Sequence, residues 1–427
     1  MTRPTVGFSI IVGLLAAASA ALVAGPLTPP AGPVTGSYKT LSEVEPRIAI
    51  GPGNTPGDAT AVFRITQPGS YYLTGNVAGV AGKNGIRVSA AAVTLDLNGF
   101  SVIGVAGALS GVFLDNVANY VMMKNGSVSD WPLDGIDAGF NTHGRYERLF
   151  VTRNGAGAAS RVGLRSGSSA IICDCDASYN TGVGFWCNEW CTISGCVATS
   201  NAFTGIVASA GAVVTGCSAD QNGGSGIYVG AGSAVTDCVA NGSGGGPGIY
   251  GTNQCTVRSC TVTASGGHGV LVGNGSTVTG CSSHGNSDSG YYVSDGSTIS
   301  GCTATENLAR GIFANNGCKV TGCLTRNNQS DGISVNYSSA VSDNNCNGDG
   351  AANGSHGGIR VVGQANRIDS NNVSYGDRGL LIEQGGNVVL RNTSKGCVVN
   401  FEIAAGNDSG PIGSAATATS PWANIQF

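Results

Sequence analysis

The sequence predicts an all-β protein, a right-handed parallel β-helix of about 14 coils, and three columns of residues in register predict it. The first column is a cysteine ladder. Cys175, Cys196, Cys217, Cys238, Cys260, Cys281, Cys302 and Cys323 stand 21 or 22 residues apart. The second is a glycine followed by an apolar residue at the same step, from Gly163-Leu164 and Gly184-Phe185 through Gly226-Ile227 to Gly332-Ile333. The third lies five residues after each cysteine and reads Asn180, Asn201, Asn222, Ser243, Ser265, Asn286, Asn307 and Asn328.

Each repeat divides into three short strands and three turns. Gly226-Ile227-Tyr228-Val229 alternates with period two, as does the run ending Val235-Thr236-Asp237-Cys238, and Gly, Ser, Asn and Asp fill the gaps. Leucine-rich repeats are excluded because 175–345 holds only Leu271, Leu308 and Leu324. A left-handed β-helix wants hexads, and the calcium-binding nonapeptide is absent. Looser coils flank the regular run at Gly85-Ile86, Gly111-Val112, Gly135-Ile136, Gly358-Ile359 and Gly379-Leu380. The expected organisation is a signal peptide over 1–24, a linker and cap over 25–75, the β-helix over 76–407 and a C-terminal cap over 408–427. The caps cover strand edges that a solenoid leaves open at both ends. Ser42 and Glu45 have the spacing of a capping box, with Pro46 directly after.

Composition agrees. Of 427 residues 70 are Gly and only 11% are charged, which excludes a coiled coil and argues against disorder. The net charge of −4 offers no basic field for nucleic acid. Val6 to Ala24 is apolar behind Arg3, with small-residue cleavage sites at Ala18-Ser19-Ala20 and Leu22-Val23-Ala24 and prolines from Pro26 onward. The expectation is export to the cell envelope or beyond, with no membrane span once this segment is removed; the alternative is an uncleaved anchor.

The coils resemble the right-handed β-helix repeats of the pectate-lyase-like superfamily. The blocks Tyr38-Lys39-Thr40-Leu41-Ser42-Glu43-Val44-Glu45-Pro46-Arg47-Ile48, Pro68-Gly69-Ser70-Tyr71-Tyr72-Leu73, Val93-Thr94-Leu95-Asp96-Leu97-Asn98-Gly99 and Pro421-Trp422-Ala423-Asn424 resemble a group of exported bacterial β-helix proteins. The resemblance implies fold and export. It assigns no chemistry.

Fifteen cysteines in an exported chain ordinarily mean disulfides. Here neighbouring ladder cysteines stand one strand spacing apart, ~4.8 Å, where a disulfide wants Cβ atoms at about 3.8 Å. They read as reduced, buried thiols acting as small hydrophobes, not as metal ligands. Asn154 and Asn344 are expected to continue the same column. Cys187 and Cys191 are the one pair admitted as a disulfide.

Function in a β-helix is sought on an outward column, here the residue two after each repeat glycine. It reads Arg87, Phe113, Asp137, Arg165, Trp186, Val207, Tyr228, Tyr250, Leu271, Tyr292, Phe313, Ser334, Arg360 and Leu381. Trp186, Tyr228, Tyr250, Tyr292 and Phe313 form a stripe suited to stacking sugar rings, or alternatively a subunit interface. The adjacent turn column carries Asp134, His268, Arg310, Asp331 and Arg378, with Arg310 and Asp331 expected to make a surface ion pair. Gly267-His268-Gly269 resembles a tripeptide of polygalacturonase-like hydrolases, which also need neighbouring aspartates; this chain has no Asp-Asp pair. Asp134, Asp137 and Arg165 are the best constellation for a lyase, with a solvated charge pair as the plain alternative. The expectation is a secreted scaffold that binds polysaccharide or surface glycan along the aromatic face. The alternatives are a polysaccharide lyase or glycoside hydrolase acting at Asp134, Asp137, Arg165 or His268 on an acidic polysaccharide, and a structural or adhesive surface protein. No cofactor is named by the sequence; Ca²⁺ enters only with a lyase.

Overall fold

The computed structural model describes residues 45–157, 161–350 and 355–427. Arg47–Phe427 form one unit; of the other, Met1–Pro46, only Glu45 and Pro46 are described. The signal peptide over 1–24 and the Ser42 end of the capping box therefore lie outside the described residues. Among the described residues there is no α-helix, and none long and apolar enough to cross a membrane.

One coil shows how all are built. Ile227–Val229 joins a 16-stranded sheet, while Ala234–Thr236 and Val239–Asn241 join a 32-stranded sheet. Successive coils pair in parallel, Ile206↔Ile227↔Ile249 on one side and Val214↔Val235↔Val257 on another. Alternation puts Ile227, Val229, Val235 and Ala240 into the core, all fully buried. The same positions in every coil make one continuous apolar column.

Three corners bend each coil, and each is turned by a single left-handed residue. In this coil they are Gly232 (φ 69°), Asp237 (φ 53°) and Gly242 (φ 62°). The residue after each corner, here Ser233, Cys238 and Ser243, points inward and is buried. The ladders seen in the sequence are therefore corner residues. Non-glycine residues of many kinds, from Asp174 and Asn327 to Ala264, Tyr179 and Trp190, take the left-handed position at other corners.

The 16-stranded sheet counts 16 coils, two more than the glycine column predicts. The additional coils are the first and last. Ala61–Ile65 and Val399–Ile403 pair in register with their neighbours but place Val62 and Asn400 where the other coils carry glycine. Ile48–Ala49 and Gly69–Tyr72, within the stretch read as linker and cap, pair into the 32-stranded sheet, as do Asp408–Ser409 and Asn424–Gln426 at the other end.

The corner asparagines solve the problem of buried polar backbone. Asn201 Oδ1 accepts the backbone N–H and the side-chain amide of Asn180, while its own amide donates to Ala177 O at 2.8 Å and to Asn222 Oδ1 at 3.0 Å. The repeat glycine makes room for this amide: a Cβ on Gly184 would stand 2.7 Å from Asn201 Nδ2. The column runs from Asn154 to Asn222, resumes at Asn286 and ends on Asp349, whose Oδ1 accepts both donors of Asn328. A last rung needs no forward donor, so a carboxylate serves there. Two further ladders close the C-terminal part, Asn344–Asn371–Asn392–Asn424 and Asn366–Asn387–Asn407.

Asn344 extends the cysteine column as expected, its Oδ1 accepting the N–H of Cys323. Asn154 does not. It bonds to Asn180, because Phe150 pairs with Asp176 and the coil between them holds 26 residues instead of 21; Leu149 stands above Cys175. The ladder cysteines are free and buried, and Cys187 and Cys191 form the one disulfide among the described residues.

Candidate functional site

The outward column is set by strand pairing. Arg165↔Trp186↔Val207↔Tyr228↔Tyr250↔Leu271↔Tyr292↔Phe313↔Ser334↔Arg360 are direct partners on successive coils. In each strand the flanking residues are buried and this central side chain is half-exposed, with Ser334 alone buried. The structure brings all five predicted aromatics together. With Val207 and Leu271 between them, apolar side chains run unbroken over seven coils from Trp186 to Phe313, about 29 Å at the strand spacing.

The rings are not a uniform stack. Tyr228 and Tyr250 meet edge to face at 5.1 Å, and Tyr292 and Phe313 are tilted by 39° at 4.9 Å. His268 flanks this second pair, 5.2 Å from the Tyr292 ring and with Nδ1 3.4 Å from Asp288 Oδ1. Burial pulls its imidazole below the ordinary value, opposed by Asp288. His268 is a wall of the stripe. It stands five coils from Arg165 and cannot work with that group.

Charge closes the stripe at both ends. At the first end Asp134, Asp137, Arg161, Arg165, Trp186, Asn188 and Phe140 line a cavity of about 300 Å³. Asp134 is buried; its Oδ1 accepts the Val162 N–H at 2.8 Å and its Oδ2 lies 3.3 Å from Arg165 Nε. Burial raises its pKa, the Asp137 charge adds to this, and the Val162 N–H and Arg165 oppose it. Asp134 is thus no solvated charge. The Arg165 guanidinium also covers the Trp186 ring at 5.4 Å. The Nε atoms of Arg161 and Arg165 are buried without a hydrogen-bond acceptor. Sequence reasoning missed Arg161, Phe140 and Asn188, which lie outside the periodic columns.

At the second end Asp331 corrects an expectation. It is fully buried, so its contact with Arg310, Nε to Oδ2 at 3.4 Å, is no surface ion pair. Arg360 at 3.8 Å and His356 Nδ1 at 3.6 Å also face this carboxylate, and the Gly357 N–H donates to it at 2.9 Å. Arg310 in turn covers the Phe313 ring at 5.1 Å. Beyond it Arg360, Arg378, Glu383 and Glu402 line a cavity of about 540 Å³. Among the described residues no three His, Cys, Asp or Glu side chains converge on a metal position.

The architecture is a right-handed parallel β-helix. The family model for the right handed beta helix region matches residues 84–241 and 225–355, and the chain belongs to that family. None of the curated proteins matches it. Among solved structures, the A-module of a mannuronan C-5 epimerase of Azotobacter vinelandii is similar at 16% identity, over 80% of this chain and 90% of that one, with a TM-score of 0.39. The Dettilon tailspike protein is 14% identical over 77% of this chain and 62% of its own, at 0.36. Pectate lyase Pel9A is 16% identical over 74% and 76%, at 0.31. Scores this low assign no activity.

Proposed function

We propose that the protein is an exported polysaccharide-binding solenoid, with the glycan chain lying along the outward column from Trp186 to Phe313. The observation that carries this reading is the unbroken run of half-exposed apolar side chains on seven successive coils. Their spacing of ~4.8 Å is close to the repeat of a sugar ring, and aromatic faces stack on the apolar faces of such rings. A rigid sheet holds these side chains in place before any ligand arrives, which lowers the ordering cost of binding.

A second reading has its own support at the first end of the column. Asp134, its pKa raised by burial, and the half-exposed Asp137 bring two carboxyl groups of different surroundings to one cavity, as acid–base chemistry requires. The Nε of Arg161, buried without an acceptor, favours an anionic group beside it. On this reading the stripe feeds an acidic polysaccharide to a cleavage site.

Size-exclusion chromatography with light scattering on acidic and neutral polysaccharides separates the readings. Co-elution lost in Tyr228→Ala/Tyr250→Ala/Tyr292→Ala, with unchanged thermal stability, supports binding along the stripe. Loss of polymer mass, abolished by Asp134→Asn, supports the depolymerase. Neither outcome on any polymer sinks both.

A further inference from the structure

The cysteine column has a geometry that apolar packing alone does not use. Parallel register places each ladder cysteine directly over the last: the Val197 N–H donates to Cys175 O at 2.9 Å, and the same bond recurs up to the Asn345 N–H on Cys323 O at 2.8 Å. The side chains point inward and are buried throughout. Sulfurs reach toward the coil before them: the Cys217 N–H meets Cys238 Sγ at 3.4 Å and the Cys260 N–H meets Cys281 Sγ at 3.4 Å.

We propose that the thiols from Cys175 to Cys323 form a binding column for soft monovalent cations, silver(I) or copper(I), each held in a line between sulfurs on successive coils. Strands repeat at ~4.8 Å. Two metal–thiolate bonds of about 2.3 Å, set end to end, span about 4.6 Å. Each thiol now donates to a backbone carbonyl, as Cys196 Sγ does to Ser194 O at 3.3 Å, and the ion would replace that proton and turn the sulfur to its neighbour on the next coil.

Charge selects the ion. Bare thiolates are disfavoured in this buried column, where water cannot solvate the charge. Binding exchanges one proton for one cation, R–SH + M⁺ → R–S–M + H⁺, and no electron moves. With each sulfur shared between two metals, the column stays neutral in an apolar core. A divalent ion would leave excess charge there, which desolvation opposes. Zinc would also want four ligands, and a linear stack supplies two. Thiolate softness favours the coinage metals. Leu149 at one end and Asn344 at the other terminate the site, so eight thiols leave seven gaps.

The test uses silver nitrate in chloride-free buffer with the mature protein. Cys173 and Cys397, which are only partly buried, are alkylated first. Silver is offered both to the native protein and during refolding from urea. The expected result is up to seven silver ions retained after desalting, one proton released per ion, two sulfur neighbours per silver by X-ray absorption, and a raised thermal midpoint. Cys217→Ala/Cys238→Ala/Cys260→Ala should lose more than half of the bound silver. Overturning results are no retention in either arm, nitrogen or oxygen neighbours, three or more sulfurs per ion, or undiminished uptake by the variant. Where the variant does not fold, the coordination seen in the wild-type protein decides.

Discussion

Asn222 Oδ1 accepts two hydrogen bonds from one residue of the coil before it, the backbone N–H of Asn201 at 3.1 Å and the Asn201 side-chain amide at 3.0 Å. One oxygen thus fixes both the corner and the side chain that turns it. Asn201→Ala removes the acceptor for both donors of Asn180 and a donor to Ala177 O, all in a dry core. Each orphaned group costs about 1–3 kcal/mol, so a loss of roughly 3–5 kcal/mol is expected. Urea unfolding followed by circular dichroism measures it; a loss under about 1 kcal/mol would show that the ladder is dispensable.

The same column has a defect. Ser243 and Ser265 replace asparagine, and their hydroxyls lack partners. Ser243→Asn should extend the first half of the ladder by one rung, because only the Ala240 methyl stands beside it at Gly226, whereas Val262 fills the space between Gly248 and Ser265. The expected gain is about 1 kcal/mol per restored bond, read as a higher urea midpoint with an unchanged slope.

Asp349 gives a pH signature. Burial raises its pKa from 3.8 to about 6. A carboxyl whose folded value is raised stabilises the fold fully below its unfolded value, and that contribution disappears as pH climbs through the folded value. About 3 kcal/mol should therefore be lost between pH 4 and pH 6. Asp349→Asn keeps the acceptor for Asn328 and should abolish this loss, so the two stability curves should diverge only above pH 4. Parallel curves across that range would remove Asp349 as the cause.

Asp331 is the counter-charge for Arg310 and Arg360 and faces His356. Asp331→Asn leaves basic groups crowded round a buried neutral amide. Removing one partner of a buried pair costs about 3–5 kcal/mol, and little of it should respond to salt. Differential scanning calorimetry at low and high ionic strength checks both points.

Val207 and Leu271 are the two non-aromatic positions within the stripe. Tyrosine at each should tighten glycan binding two- to five-fold, from about 0.5–1 kcal/mol per added ring contact. Calorimetric titration with the polysaccharide that co-elutes would show it. Unchanged affinity would place the ligand elsewhere.

What the sequence revealed depended on strict periodicity. Trp186 through Phe313 could be assigned to one face because every coil between them has 21 or 22 residues, and counting from the glycine is then the same as following the strand register. Counting and register part company where coil length changes. Asn154 was placed by counting 21 residues back from Cys175, while the real coil has 26. The first and last coils escaped notice because Val62 and Asn400 stand where glycine marks the others. The burial of Asp331 was hidden for a related reason: His356 and Arg360 come from a coil lengthened beyond the repeat, so spacing could not bring them to it. Asp134 and Asp137 were found as neighbours, but the desolvation that sets Asp134 apart comes from packing, which periodicity does not encode.

The ladders give the solenoid a direction of growth. Between successive ladder asparagines the earlier residue donates and the later Oδ1 accepts, so a chain that has folded only part-way ends each ladder in donors awaiting the next oxygen. Such an end welcomes the coil that follows it and no other part of the molecule. The finished ends lack this appetite: Asp349 has no amide, Asn407 turns its amide back to Ala404 O, and Asn424 turns its amide to Gly410 O. Each ladder therefore carries its own stop, a last residue with no amide aimed at a further rung.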